Sequence, residues 1–154
     1  MAGINLGLNE LQQGIFNLLN GAVIIDNFTY PVYDEVPQDQ NNPPYFIQPP
    51  YIVIGDDIST PWAQGMSKID FARHFSGTIT VFSKKQQFKE LKDILQAISD
   101  LIITKDDTAG TITINLDIAG FQIIYLQIHA SASRDQDGRT RVGTLTLEID
   151  AKQT

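Results

Sequence analysis

The side chains best suited to chemistry are few in this sequence. It contains two histidines, His74 and His129. Each falls in a stretch that reads as a β-strand, with no serine or carboxylate at the spacing of a catalytic triad, so a structural role fits both. No G-x-S-x-G, Walker, G-x-G-x-x-G or H-E-x-x-H pattern occurs. Asp135-Gln136-Asp137-Gly138 copies the opening of a calcium loop, but the position six residues after that glycine, where the loop needs glutamate, is Thr144. An Asp-Gly turn between two strands is the simpler assignment. Carboxylates are paired at Asp34-Glu35 and Asp56-Asp57. Adjacent strand residues point to opposite faces, which is poor geometry for an acid–base pair. Arg139 and Arg141, two apart, would share a sheet face and make a small basic spot. No catalytic residue, metal ligand set or cofactor is expected. Two alternatives stand beside that reading: a small acidic ligand- or calcium-binding module using the Asp135–Gly138 turn, and a hydrolase built around His74 or His129.

Two segments have helical periodicity. Asn9, with Gln12 three residues on, offers a capping box, and Leu11, Ile15, Leu18 and Leu19 follow on one face before Asn20-Gly21. Phe88, Leu91, Leu95, Ile98, Leu101 and Ile102 form a longer stripe, with Lys89 and Asp93 as an i,i+4 pair on the wet side. The remainder is strand and turn. Tyr51–Ile54 is a short apolar run, Phe75–Val81 and Gly110–Leu116 alternate, and Val142–Ile149 puts Leu145, Leu147 and Ile149 on one face. Phe121–His129 is apolar on both parities, which predicts a central strand. The order of elements implies an α+β fold, a mostly antiparallel β-sheet with two main α-helices packed on one face.

Two loops look longer than connections need to be. One spans 37–50 and holds Pro37, Pro43, Pro44, Pro49 and Pro50; the other spans 55–70 and holds Asp56, Asp57 and Trp62. Trp62, the one tryptophan, either plugs the edge of the core or anchors an interface.

The 154 residues predict a single domain over 1–154, large enough to fold on a hydrophobic core alone. With 11 Lys+Arg against 18 Asp+Glu, the net charge of −7 argues against a protein that grips nucleic-acid phosphates. The absence of cysteine excludes disulfides, thiolate metal sites and cysteine nucleophiles. Met1–Gly14 has no basic segment followed by an apolar one, and apolar runs do not exceed four residues, so neither a signal peptide nor a membrane helix is expected, and the expected setting is a cytoplasm or something assembled in one.

Tyr33-Asp34-Glu35-Val36-Pro37-Gln38, followed by Pro50-Tyr51-Ile52-Val53-Ile54-Gly55-Asp56-Asp57, resembles the N-terminal signature of the tail-completion proteins of long-tailed phages. These are also described as tail-to-head joining proteins and are grouped with tail terminators. Arg134-Asp135-Gln136-Asp137-Gly138-Arg139-Thr140-Arg141, before a final alternating strand, is similar to the family's C-terminal signature, and Thr78–Ser83 before the second helix is similar to its middle. The resemblance covers nearly the whole chain in order. It implies a non-enzymatic virion protein, assembled in the host cytoplasm, that forms a homo-hexameric ring at the head-proximal end of the tail. Such a ring ends polymerisation of the major tail tube protein and joins the tail to the head-completion or connector protein. DNA passes through the lumen without specific binding, and no membrane is involved. The interface with other subunits or the tube would then draw on Tyr33, Asp34, Glu35, Pro37, Asp56, Asp57 and Trp62 on one side, and on Arg134, Asp137, Arg139 and Arg141 on the other, opposite charges fixing the register.

Overall fold

A computed structural model of the chain describes residues 5–34, 50–61, 72–84, 88–134 and 140–154. Helix α1 covers Leu8–Leu19 and buries Leu11, Ile15 and Leu19. It begins one residue before the expected cap, after Gly7, whose φ is 75°. A Cβ at Gly7 would lie 2.6 Å from the Phe75 ring and 2.9 Å from that of Phe121. Both the left-handed backbone and the close approach demand glycine there, so Asn9 is carried into the first turn instead of capping it. At the other end the Asn20 N–H donates to the Phe16 carbonyl at 2.8 Å, where a stop was expected. Helix α2 covers Lys89–Ile102 and buries Leu91, Ile94, Leu95, Ile98 and Ile102, and the Lys89–Asp93 pair forms at 2.7 Å.

The strands are β1 (Ile24–Ile25), β2 (Phe28–Thr29), β3 (Val32–Tyr33), β4 (Tyr51–Pro61), β5 (Ala72–Ser83), β6 (Ile103–Asp106), β7 (Thr111–Ile114), β8 (Phe121–Arg134) and β9 (Arg141–Gln153). Five of them make one sheet in the order β3-β4-β5-β9-β8, while β1–β2 and β6–β7 are separate hairpins. Every pairing in the main sheet is antiparallel except the short one between β3 and β4. β5 and β9 are its centre, in unbroken register from Ala72 opposite Lys152 to Ser83 opposite Arg141. Alternate residues of this pair, Phe75, Ile79 and Val81 with Leu145, Leu147 and Ile149, point to one side and join the helices in the hydrophobic core.

Small residues let both helices sit close on that side. A Cβ at Gly77 would stand 3.4 Å from Ile15 of α1, and one at Gly143 would stand 2.9 Å from Leu91 and Leu95 of α2. The fold is thus the expected α+β arrangement, with a sheet covered on one face.

Two expectations are corrected. β8 is the end strand of the sheet, not a central one, and most of its side chains are exposed, Ile124 and Tyr125 at 51% each. Apolarity on both parities signals burial on both faces only when the chain itself supplies the cover, and here α2 stops short of the strand. The loop expected over 55–70 is strand as far as Pro61. The register shifts between Gly55 and Ile58, and Asp56 there has a φ of 58°, so Asp56-Asp57 forms a bulge within β4 and not the start of a loop. Residues 37–49 of the other expected loop lie outside the described residues.

Gly14 decides between two opposing effects. Alanine there should favour the helix by about 1 kcal/mol, but its Cβ would fall 2.2 Å from the Asp117 carbonyl oxygen. Backbone cannot yield as a side-chain end can. Gly14→Ala should therefore destabilise the protein by roughly 2 kcal/mol, read as a lower urea midpoint at unchanged slope.

Candidate functional site

With both helices on one side, the opposite face of the sheet is left bare among the described residues. Its middle is polar: Ser76, Thr78 and Thr80 of β5 lie opposite Glu148, Thr146 and Thr144 of β9. At one end sits a cluster that the sequence did not reveal. His74 is held between two carboxylates, Nδ1 at 2.6 Å from Asp150 and Nε2 at 2.6 Å from Glu148. Ser76 donates to the other Glu148 oxygen at 3.2 Å. Only an imidazolium has an N–H for each of two carboxylates. The bond to Asp150, and then that to Glu148, outweighs partial burial and raises the His74 pKa above 6.5.

With both ring nitrogens held by acids, His74 leaves neither as a base for a nucleophile. The structural role expected for it fits this geometry. Glu148 and Asp150 share a face by alternation, but which strand lies opposite them depends on pairing between residues far apart in sequence. His129, on the same face of edge strand β8 opposite Thr146, is exposed and far along the register from His74. Among the described residues no group of three or more His, Asp or Glu side chains adopts metal-binding geometry.

The described residues among those expected at an interface fall near two opposite edges. On the β3–β4 side, Tyr33 packs edge-on to Tyr51 at 6.2 Å, which in turn lies 5.0 Å from Phe82. Asp34 follows Tyr33 and is exposed. In the β4 bulge the two aspartates part company. Asp56 is exposed, whereas the Asp57 carboxylate turns toward Gly77, where its Oδ1 is buried without a hydrogen-bond partner. Burial, and then the charge of Asp56, pushes the Asp57 pKa up.

On the β9–β8 side, Arg134 and Arg141 are register partners, with their guanidinium carbons 5.8 and 5.1 Å from the centre of the Phe88 ring. Lys92 Nζ lies over the same ring at 5.8 Å. Arg141, expected to make a small basic spot with Arg139, is only 6% exposed. It opens β9 on the helix-facing parity, so its stem packs against Phe88 instead of entering solvent. Glu35, Pro37, Trp62, Asp137 and Arg139 lie outside the described residues.

Comparison with known proteins adds the following. The family model described as Tail completion protein gp17 matches residues 13–149. Among solved structures, a chain in "Virion of native gene transfer agent (GTA) particle" superposes with a TM-score of 0.58 at 18% identity, over 96% of this chain and 92% of that one, which is a likeness of fold. No curated protein matches the sequence.

The His74 clamp should give stability a distinct pH dependence. A pKa raised in the folded state means the stabilisation is fully present below pH 6.5 and fades as pH rises through the folded value. His74→Ala should cost roughly 1 kcal/mol at pH 6, since the group is half-exposed and screened, and the melting-temperature gap to the parent should shrink by pH 9. Asp57 has the opposite sign. Its raised pKa penalises the ionised form, so Asp57→Asn should raise the melting temperature at pH 7, and that gain should vanish as acid protonates the parent's carboxylate.

Proposed function

The chain belongs to the gp17 family of tail completion proteins, structural proteins of the phage tail, and from that premise we propose that it forms a ring at the head-proximal end of a long tail. The observation that carries this reading is the extent of the family match, 13–149, which runs from α1 into β9 and so takes in four strands of the five-stranded sheet entirely and most of the fifth. The protein acts as a single domain. Its ring, a homo-hexamer, ends polymerisation of the major tail tube protein and presents a surface to the head-completion or connector protein.

Several features support a ring built from copies of this chain. A closed ring needs contacts in which one patch meets a different patch on the next subunit. Exposed Asp34 and Asp56 lie on the β3–β4 side of the sheet and Arg134 on the far β8 edge, a separation that supports head-to-tail charge complementarity, with Asp57 sheltered beside Asp56. Glu35, Pro37, Trp62, Asp137 and Arg139 belong to the same proposed interface. A net charge of −7 suits a passage through which DNA slides without being held. The role requires no catalytic step and no cofactor, and the protein resides in the virion after assembly in the host cytoplasm.

Removing the gene from its phage tests the proposal. Tails of abnormal length, or full heads beside unattached tails, should replace infectious particles in electron micrographs, and a plasmid-borne copy should restore them. Normal infectious virions from the deleted phage would overturn it.

A further inference from the structure

β6 and β7 form a two-stranded arm outside the main sheet. On one of its faces Ile103 lies opposite Ile114, and Lys105 opposite Ile112. Ile103 and Ile114 pack against the core, whereas Ile112, further out, is 67% exposed, the highest value for any large hydrophobic residue among those described. A lone hairpin of this size is marginal in water, and an apolar face carried outward from a core invites a partner. The tip carries Asp106 and Asp107; Asp107 pairs with Lys105 of the same arm at 3.4 Å, and Asp106 fixes the shape by accepting from the Thr108 and Ala109 N–H groups at 2.9 and 3.2 Å.

A matching surface lies elsewhere on the chain. Because α2 does not reach across β8, a groove of about 460 Å³ remains between them, lined by Leu95, Ser99, Ile128, Ala130, Ala132 and Leu145. Alanine and serine leave room there for a branched apolar side chain. Lys92 lines the groove, and Arg134 ends β8 two residues beyond Ala132; both lie beside Phe88. The arm starts at Ile103, past the C-terminal end of α2, whereas the groove follows Lys92–Ser99. Knob and hole therefore occupy separate places on one chain, the condition for a head-to-tail contact.

The geometry points to a second copy of this chain as the occupant: Ile112 on the arm of one subunit seats in the α2–β8 groove of the next, with Asp106, the tip acid that has no ion pair within the arm, facing Lys92 and Arg134. The contact rests on the ring reading above. Two chains of charge −7 repel overall, and opposite charges at the seam offset that locally and fix which neighbour faces which.

The chain has no cysteine, so a disulfide can join only introduced residues. Two differently tagged single-cysteine versions are supplied together to a phage lacking its own copy: Ile112→Cys, and one of Ile128→Cys, Ala130→Cys or Ala132→Cys. After mild oxidation, purified tails should yield a covalent dimer carrying both tags, and about ten-fold less when the second version is His129→Cys, which lies opposite Thr146 on the other face of β8 and does not line the groove. Tails that contain both versions without the mixed dimer would overturn the contact, as would like-to-like dimers through β8. Tails lacking the chain would defeat the tail function itself and this contact with it.

Discussion

The structure depends on a sheet that its own helices cover on one face only. The unbroken register of β5 with β9 sets which residues point to the helices, and Gly77 and Gly143 let α1 and α2 settle onto that face. The core uses up the aliphatic side chains of one parity. What is left for the other parity, and for the edge strand beyond α2, must tolerate water or await a partner. The threonines and serines of the bare face do the first. The exposed apolar residues of β8 leave a long edge strand uncovered among the described residues, which is a hazard in a solitary protein.

The polar groups that interrupt this plan are informative for the same reason. His74, Glu148 and Asp150 stand together because alternation and register bring them to one end of the bare face, where the imidazolium neutralises two acids that would otherwise repel. Asp57 is the reverse case, a carboxylate turned inward by the bulge that its neighbour Asp56 makes possible with a left-handed backbone. Bulges recur where a strand must redirect side chains at a sheet edge. Here the bulge gives the β3–β4 side one exposed aspartate and one sheltered one.

Much of this was legible in the sequence, and the failures share a cause. The stripe from Phe88 to Ile102 and the alternation in β5 and β9 depend only on local spacing, and both elements formed where expected. The cap of α1 did not, because Gly7 answers to Phe75 and Phe121, partners far along the chain. β8 read as central because its apolar content was credited to burial within one chain. The burial of Arg141 was not legible because periodicity could not show that its parity faces Phe88. The His74 cluster was hidden for want of the register between β5 and β9. The residues proposed for an interface could be named in advance, but the placement of the described ones at opposite sides of the sheet follows from strand order, which spacing does not encode.

The central claim is one of position: a structural tail protein that sits in a ring where the tail meets the head. Electron microscopy of intact particles carrying a tagged, functional copy of the chain tests it most directly. The expected result is density or label confined to the head–tail junction with six-fold symmetry about the tail axis. Label distributed along the shaft, gathered at the distal tip or absent from the particle would contradict it.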